Sequence, residues 1–150
     1  MEWMILPYKR YFDFSGRSRR LEYWMFVLFS LIVASVLFAL IMAGGLNFAA
    51  LSNPEALDMS FGPLFWLGGL LLSLFWLGSL IPGIAVVVRR LHDRDMSGWW
   101  YLGIIVASMI PIINFIAGIA FLVLMLLPGT PGSNRFGPDP KDPASAEVFA

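Results

Sequence analysis

The chain has 150 residues, of which 59% are hydrophobic and 13% are charged. Soluble domains average about 45–50% and about 25% in these two classes, so the apolar excess of so short a chain predicts an all-α integral membrane protein covered by lipid. A formal net charge of zero argues against nucleic acid as a bulk electrostatic partner, and the absence of cysteine excludes disulfides, thiolate catalysis and zinc–thiolate sites in this chain.

The arm, residues 1–22, is polar and basic and precedes an uncharged run at residues 24–43. That run is as long as a tilted helix that crosses about 30 Å of hydrocarbon. Ser18 is a candidate N-cap for a helix that begins at Arg19, and Glu22 in its first turn suits the positive end of the helix dipole. A signal peptide would have an apolar run of only about 7–15 residues and a small-residue cleavage site, so we predict an uncleaved first span.

The second apolar segment, residues 64–88, follows a connector at residues 44–63 that contains glycine and proline breakers. We expect Pro82 to kink the second helix, because proline removes a backbone donor and clashes with the preceding turn. Small residues recur at four-residue spacing and would let another helix approach closely. These pairs are Gly69 with Ser73 and Ser79 with Gly83.

A third apolar segment spans residues 100–127 and is interrupted by Pro111 and Asn114. As one continuous helix it would be about 42 Å long, which is more than a bilayer core requires. Two arrangements are open. The segment is either one tilted, proline-kinked span or a helical hairpin of two short halves, which would give four membrane helices.

The tail, residues 128–150, is rich in proline and glycine and is predicted to be irregular. The whole chain, residues 1–150, is predicted to form a single membrane domain with its membrane region at residues 23–127. Basic residues are concentrated in the arm and between the second and third segments, and the connector has none. The positive-inside rule therefore predicts a cytoplasmic N-terminus in a bacterial inner membrane. Three spans would export the tail, whereas a hairpin would return it to the cytoplasm.

The island, residues 89–100, separates the second and third apolar segments and contains the only histidine of the chain. His92 and Asp93 are neighbours, so on a helix they would point about 100° apart and would not face each other. If the helix continues through the island, Arg89 and Asp93 become i,i+4 partners. No second histidine, cysteine or glutamate at helical spacing completes a metal site. We therefore predict no catalytic, cofactor-binding or metal-binding residues.

Acidic residues within the basic blocks indicate salt bridges that tie the first helix to the island. Glu22 is expected to pair with Arg89 or Arg90. The basic residues would also attract anionic headgroups at about 1 kcal/mol each, although ordinary positive-inside flanks would look the same. Trp99 and Trp100 fit an interfacial anchor. The candidate functional or structural cluster comprises Arg17, Arg19, Arg20, Glu22, Arg89, Arg90, His92, Asp93, Ser97, Trp99, Trp100, Asn134 and Arg135.

Three blocks in this order and spacing resemble the domain of unknown function 805 family of small bacterial inner-membrane proteins. The blocks are Phe14-Ser15-Gly16-Arg17-Ser18-Arg19-Arg20-Leu21-Glu22-Tyr23-Trp24, then Arg89-Arg90-Leu91-His92-Asp93 with Ser97-Gly98-Trp99-Trp100, and finally Pro128-Gly129-Thr130 with Asn134-Arg135-Phe136-Gly137-Pro138-Asp139-Pro140. The resemblance implies a multi-span inner-membrane protein with no assigned activity. One departure is Arg94-Asp95-Met96, where the basic residue stands two places earlier than in the family.

These features support three functional hypotheses. The first is a non-enzymatic membrane protein whose cytoplasmic cluster serves structural pairing or docks anionic phospholipid headgroups or a membrane protein partner. The alternative is a small transporter or channel-like homo-oligomer, packed through the small-residue pairs and with Asn114 facing a pathway. The third is a lipid-modifying enzyme with His92 as its base. None of them requires a cofactor or nucleic acid.

Overall fold

The computed structural model describes residues 2–45 and 61–142, and within these ranges it has five α-helices and no β-strand. The five helices are α1 (Glu2–Lys9), α2 (Arg20–Gly45), α3 (Pro63–His92), α4 (Trp99–Ser108) and α5 (Pro111–Leu126). The prediction of an all-α fold is therefore confirmed for the described ranges. Most of the connector and the end of the tail lie outside them.

The two long helices contain the first two predicted apolar segments and extend beyond them. Both α2 and α3 are long and apolar enough to cross a membrane. α2 begins at Arg20, one residue later than predicted, and the Ser18 hydroxyl donates to the Glu22 carboxylate at 2.7 Å. α3 continues as α-helix through Pro82 and into the island. The island is therefore partly the last turn of α3.

The third apolar segment forms two helices that pack against each other. The break falls at residues 109–110, where Ile110 is extended (φ −95°, ψ 118°) and Pro111 occupies the first turn of α5. An extended residue before proline is expected, because the proline ring disfavours a helical conformation there. Asn114 donates its backbone N–H to the Ile110 carbonyl oxygen at 2.7 Å. The structure thus has the two-helix arrangement of this segment.

The fold divides into two compact units, Met1–Val27 with Ile81–Ala150, and Leu28–Leu80. In the second unit α2 packs on α3 at positions where a glycine leaves room for the backbone of the other helix. A Cβ added at Gly68 would lie 2.8 Å from Ile41 Cγ1 and 3.0 Å from Ile41 N, and one at Gly44 would overlap the Phe65 backbone. Gly69, in contrast, has nothing within 4 Å of such a Cβ.

The described helices present large apolar side chains outward. Leu31 is 61% exposed, Trp66 66% and Leu77 67%. The first unit buries a small apolar core that includes Phe26, Val86, Leu91 and Met125, and it also buries several charged side chains. Apolar surface on this scale requires an apolar environment around it. This distribution is the one expected of helices surrounded by lipid.

Candidate functional site: a buried ionic cluster

Five charged side chains from the arm and the island are buried together in the first unit. The members of this ionic cluster are Arg17 (4% exposed), Glu22 (2%), Arg89 (0%), Arg90 (0%) and Asp93 (3%). Removing charges from water costs several kcal/mol per ion unless partners replace the lost hydration. The geometry of the cluster must therefore supply those partners.

Glu22, in the first turn of α2, joins the arm to the island. Arg89 Nη2 lies 2.8 Å from Glu22 Oε1, and Ser18 Oγ donates to Glu22 Oε2 at 2.7 Å. The Ser18 backbone N–H donates to the Arg89 carbonyl oxygen at 3.1 Å, and Arg89 Nη1 donates to the carbonyl oxygen of Asp13. Of the two partners that the sequence left open for Glu22, the structure has Arg89.

Asp93 holds the other two arginines of the ionic cluster. Its Oδ1 accepts from Arg17 Nε at 3.0 Å and lies 2.9 Å from Arg17 Nη2. Its Oδ2 pairs with Arg90 Nη1. The expected i,i+4 pair of Asp93 with Arg89 does not form, because the Arg89 side chain extends to Glu22 and Arg90 at i−3 takes its place.

The ionic cluster contains three cations and two anions, and backbone carbonyls supply further acceptors for the guanidinium groups. Arg17 donates through Nη1 to Gly132 O at 2.5 Å and through Nη2 to Thr130 O at 2.6 Å. Arg90 donates through Nη2 to Leu127 O. Because carbonyl dipoles point their negative ends at these groups, they offset the extra positive charge.

Arginines of the arm and the island cap the C-terminal end of α5. The last carbonyls of a helix lack partners within the helix and carry partial negative charge, and α5 has no basic residue in its own last turn. Arg20 Nη1 donates to Leu126 O at 3.1 Å, and Arg94 Nη1 donates to Pro128 O at 3.0 Å. Together with Arg90, they fix the end of α5 beside the island.

The tail folds over the island and adds contacts that involve Asp93 and His92. The backbone N–H of Thr130 donates to Asp93 O at 2.8 Å, and Asn134 Nδ2 donates to His92 O at 2.9 Å. Gly129 lies against the Asp93 carboxylate so closely that a Cβ at this position would overlap it. The structure thus brings the tail residue Asn134 to the island, on the same side of the fold as the arm.

His92 is held by contacts on its ring edge and ring face. Its Nδ1 lies 3.1 Å from Gly16 O, and since a carbonyl only accepts, Nδ1 is the protonated nitrogen of the ring. The ring stacks on Phe136 with centroids 3.9 Å apart and planes at 4°. The Arg135 guanidinium lies 4.7 Å from the centroid of the same Phe136 ring. These contacts give His92 an architectural role at the junction of island and tail.

The remaining candidate residues lie at the surface of this region. Trp99 and Trp100 are 74% and 59% exposed at the start of α4, and the Trp100 N–H donates to Ser97 O at 3.1 Å. Arg135 forms an exposed pair with Asp95 at 3.1 Å. The exposed tryptophans match the geometry expected of an interfacial anchor.

Arg19 contacts both α1 and the tail. Its Nε donates to Pro140 O, and its guanidinium lies 5.6 Å from the centroid of the Trp3 ring. It is therefore held above the buried ionic cluster, at the surface of the arm.

A tight turn in the arm supports the Arg89 contact. Asp13 pairs with Arg10 at 2.7 Å and accepts from the Ser15 hydroxyl at 2.5 Å. Desolvation would raise the pKa of Asp13, but the hydrogen bonds from Ser15 and Arg10 and the positive charge of Arg10 outweigh it and lower the pKa to about 2. Asp13 therefore stays ionised at neutral pH and keeps the turn closed.

The residues that carried the transporter hypothesis lie apart from the ionic cluster. Asn114 is exposed on α5, and Gly69 is not at a helix contact within the described ranges. Gly83 lies in ordinary contact with Phe26, 3.8 Å from the position of its added Cβ. Oligomer packing through these positions stays a prediction.

Sequence reasoning did not assign a role to Gly129 or Thr130, or to the carbonyl groups that bind arginine. Gly129 and Thr130 do stand in the third block of the family resemblance, which was the one available signal. Backbone carbonyls have no residue signature, so no pattern could point to the carbonyl groups of Asp13, Thr130 or Gly132.

Helices throughout the described ranges, two of them long and apolar enough to cross a membrane, are the arrangement expected of an α-helical membrane protein. The chain belongs to the family described as protein of unknown function (DUF805), which matches it over residues 11–138. The predicted family is thereby confirmed, and the expectation of an inner-membrane protein of unknown function is supported by the names of its relatives.

Relatives in Escherichia coli strain K12 match almost the whole chain. Inner membrane protein YhaH is 36% identical over 141 residues, which cover 94% of this chain and 98% of that protein. Inner membrane protein YhaI is 35% identical, with 94% and 97% covered. The uncharacterized protein YiiR is 30% identical, with 87% and 88% covered. No solved structure matches the chain.

Proposed function

We propose that the chain is a non-enzymatic, multi-pass inner-membrane protein that docks anionic phospholipid headgroups at the cytoplasmic surface. The docking surface is a cap formed by the arm, the island and the described part of the tail. One observation carries the proposal. The charged groups of the ionic cluster are paired with one another, although the buried Nε of Arg89 has no hydrogen-bond partner within the described ranges, so its members build the cap, while other basic side chains remain at the cap surface.

The closure of the ionic cluster supports a structural role for its residues rather than a catalytic one. Both buried carboxylates are bound to arginines, and the Nδ1 and one ring face of His92 are in contact with protein groups. A general base needs a free lone pair within reach of a substrate proton. The two carboxylates are occupied by arginines, which favours a structural role for them, whereas His92 keeps a lone pair on Nε2 and its structural role rests on the contacts with Gly16 and Phe136.

The proposed topology has the N-terminus, the island and the tail in the cytoplasm. Basic residues in the arm and the island support this orientation through the positive-inside rule. The hairpin of α4 and α5 supports the return of the tail, because Thr130 and Asn134 contact the island. By length, α4 is about 15 Å and α5 about 24 Å, so α4 covers about half of a bilayer core.

The surface of the cap has the composition of a headgroup-binding surface. Its exposed or partly exposed basic residues are Lys9, Arg10, Arg19, Arg20, Arg94, Arg135 and Lys141, of which Arg10 is paired with Asp13. Basic residues at the cytoplasmic boundary attract anionic headgroups. Exposed aromatic residues of the same unit, among them Phe12 at 73% and Trp99, suit the interface between headgroups and acyl chains.

Lipid selectivity tests the proposal. The full-length protein, delipidated in uncharged detergent, would be titrated with phosphatidylglycerol or phosphatidylcholine of identical acyl chains, and bound lipid counted by native mass spectrometry. We expect phosphatidylglycerol to bind at least tenfold more tightly, and the preference to weaken as salt is raised because surface charges are screened. Equal binding of the two lipids would overturn the proposed function.

A further inference from the structure

We infer that a cavity between α1 and the start of α2 is a specific site for the phosphodiester of one anionic phospholipid. This inference rests on the proposed function and narrows it from a charged surface to a single site. The arm cavity, as we name it, has a volume of about 560 Å³. Pockets that hold small molecules are typically about 300–1,000 Å³, so the arm cavity has room for a glycerophosphate headgroup.

Three parts of the chain form the walls of the arm cavity. α1 contributes Trp3, Leu6 and Lys9, the first turn of α2 contributes Glu22, and the tail contributes Pro140. The linker between α1 and α2 contributes three arginines, of which Arg19 is held by the Pro140 carbonyl oxygen and the Trp3 ring. The cavity is therefore built by the same arm and tail that close the ionic cluster.

The balance of charge in the arm cavity suits a single anion. Its lining has four basic and two acidic side chains. Arg10, Arg17 and Glu22 are paired with Asp13, Asp93 and Arg89 respectively.

This leaves two cations, Lys9 and Arg19, and one acid, Glu2. Neither cation has a carboxylate partner within residues 2–45 and 61–142. The surplus is one positive charge, and a phosphodiester carries one negative charge.

The apolar wall of the cavity distinguishes a lipid from free phosphate. Trp3 and Leu6 would be of no use to a small inorganic anion, whereas the glycerol and the first methylenes of a lipid would pack against them. Leu21, the residue before Glu22 in sequence, is 50% exposed and begins the apolar surface of α2. Acyl chains that extend from the cavity would therefore continue along the membrane-facing surface of α2.

Matched charge removals test the site in the binding assay described above. Lys9→Gln and Arg19→Gln each remove one cation from the arm cavity. Lys141→Gln and Arg135→Gln remove the same charges from the cap surface outside it. A basic residue near an anionic surface is worth about a fivefold change in affinity. We expect each of the first two variants to raise the phosphatidylglycerol Kd about fivefold and each control to change it less than twofold.

The variants distinguish a specific site in the arm cavity from diffuse attraction to the whole cap surface. If Lys141→Gln and Arg135→Gln weaken binding as much as Lys9→Gln, the attraction is diffuse, and the arm cavity is refuted while the proposed function stands. The arm cavity is likewise refuted if the cavity variants leave the lipid preference unchanged. Arg19→Gln also removes the hydrogen bond to Pro140 and for that reason could fail to fold. In that case the result with Lys9→Gln decides whether the arm cavity is the site.

Competition with a soluble headgroup distinguishes a lipid phosphodiester from a soluble phosphate ester as the ligand of the arm cavity. Glycerol 3-phosphate, added at millimolar concentration, is expected to leave bound phosphatidylglycerol in place because it lacks the acyl chains that pack on α2. Displacement at such concentrations would assign the cavity to a soluble phosphate ester and would overturn the lipid assignment.

Discussion

Asp93 connects three parts of the chain that lie far apart in sequence. Its carboxylate binds Arg17 of the arm and Arg90 of the island, and its backbone oxygen accepts from Thr130 of the tail. The carboxylate also leaves no room for a side chain at position 129. Since each group is buried or part-buried, removing one leaves the others without their partners, so single residues here control the stability of the whole cap.

The buried pair of Glu22 and Arg89 should be essential for stability. Glu22→Gln or Arg89→Gln leaves an uncompensated buried charge, which typically destabilises by about 3–5 kcal/mol. We expect a loss of this size in the free energy of unfolding, measured by denaturant titration in detergent micelles. The exposed pair of Asp95 and Arg135 serves as the matched control, and Asp95→Asn should cost at most about 1 kcal/mol.

A charge swap separates pairing from side-chain packing at the same positions. Glu22→Arg combined with Arg89→Glu should recover part of the stability that either single change loses. Single changes that leave folding and abundance at the wild-type level would show that the pairing has no structural role.

Gly129 should tolerate no side chain. Gly129→Ala places a methyl group on the Asp93 carboxylate, which two arginines hold in position, and overpacking of this kind costs about 1–3 kcal/mol. Gly118→Ala, on α5 where nothing lies within 4 Å of an added Cβ, is the control. A thermal unfolding midpoint lowered equally by both changes would contradict the proposed contact.

Residue identity predicted part of this arrangement. Opposite charges in two blocks at the same membrane boundary were enough to propose a link from Glu22 to the island. The pairing of Arg17 with Asp93 depends on the path of the linker after α1, which no local pattern encodes. The choice of Arg89 for Glu22 depends on the rotation of α3, and the tail acceptors are backbone groups that every residue has.

Element boundaries were easier to predict than helix faces. The uncharged runs indicated the positions of α2 and α3 within a few residues, and Pro111 indicated the break between α4 and α5. The contact face of α3 could not be predicted, because a helix that is apolar all round has no polar stripe to mark which side meets its neighbour. Within the chain, Gly68 packs against α2, whereas Gly69 of the four-residue pairs faces open space, and its packing against another copy stays a prediction.

The packing of α2 on α3 can be tested with two adjacent glycines. Gly68→Ala would press against the backbone and side chain of Ile41, so α2 and α3 would have to separate. We expect a loss of about 1–3 kcal/mol in unfolding free energy. Gly69→Ala makes the same chemical change one residue later into open space and should be nearly neutral, so equal effects at the two positions would contradict the observed helix rotation.

At the scale of the whole molecule, the break between α4 and α5 bears on which side of the membrane the tail is proposed to lie. The composition predicted a membrane protein, and the third segment left two arrangements open because its length suits both. The structure has a break at residues 109–110 and brings the tail back to the island. The two arrangements differ in whether the tail contacts the island. Such contacts join residues that are far apart in sequence, so composition does not encode them.

Reporter fusions test the side on which the tail lies. Green fluorescent protein fused after residue 150 should fluoresce, and alkaline phosphatase at the same position should be inactive, because the tail is proposed to be cytoplasmic. Phosphatase inserted in the connector at residues 44–63 should be active and serves as the control. An active phosphatase at the C-terminus would contradict the proposed topology.

The tail contacts of Arg17 also bear on how the protein is made. Arg17 is synthesised early, yet its carbonyl partners at Thr130 and Gly132 follow 113 and 115 residues later. Until residue 132 has been synthesised, Arg17 lacks these two acceptors, although the carboxylate of Asp93 is already present. The ion pairs of the cluster join residues 17–93, so they precede α4 and α5 in synthesis, and the tail carbonyls complete the hydrogen bonds of Arg17 afterwards.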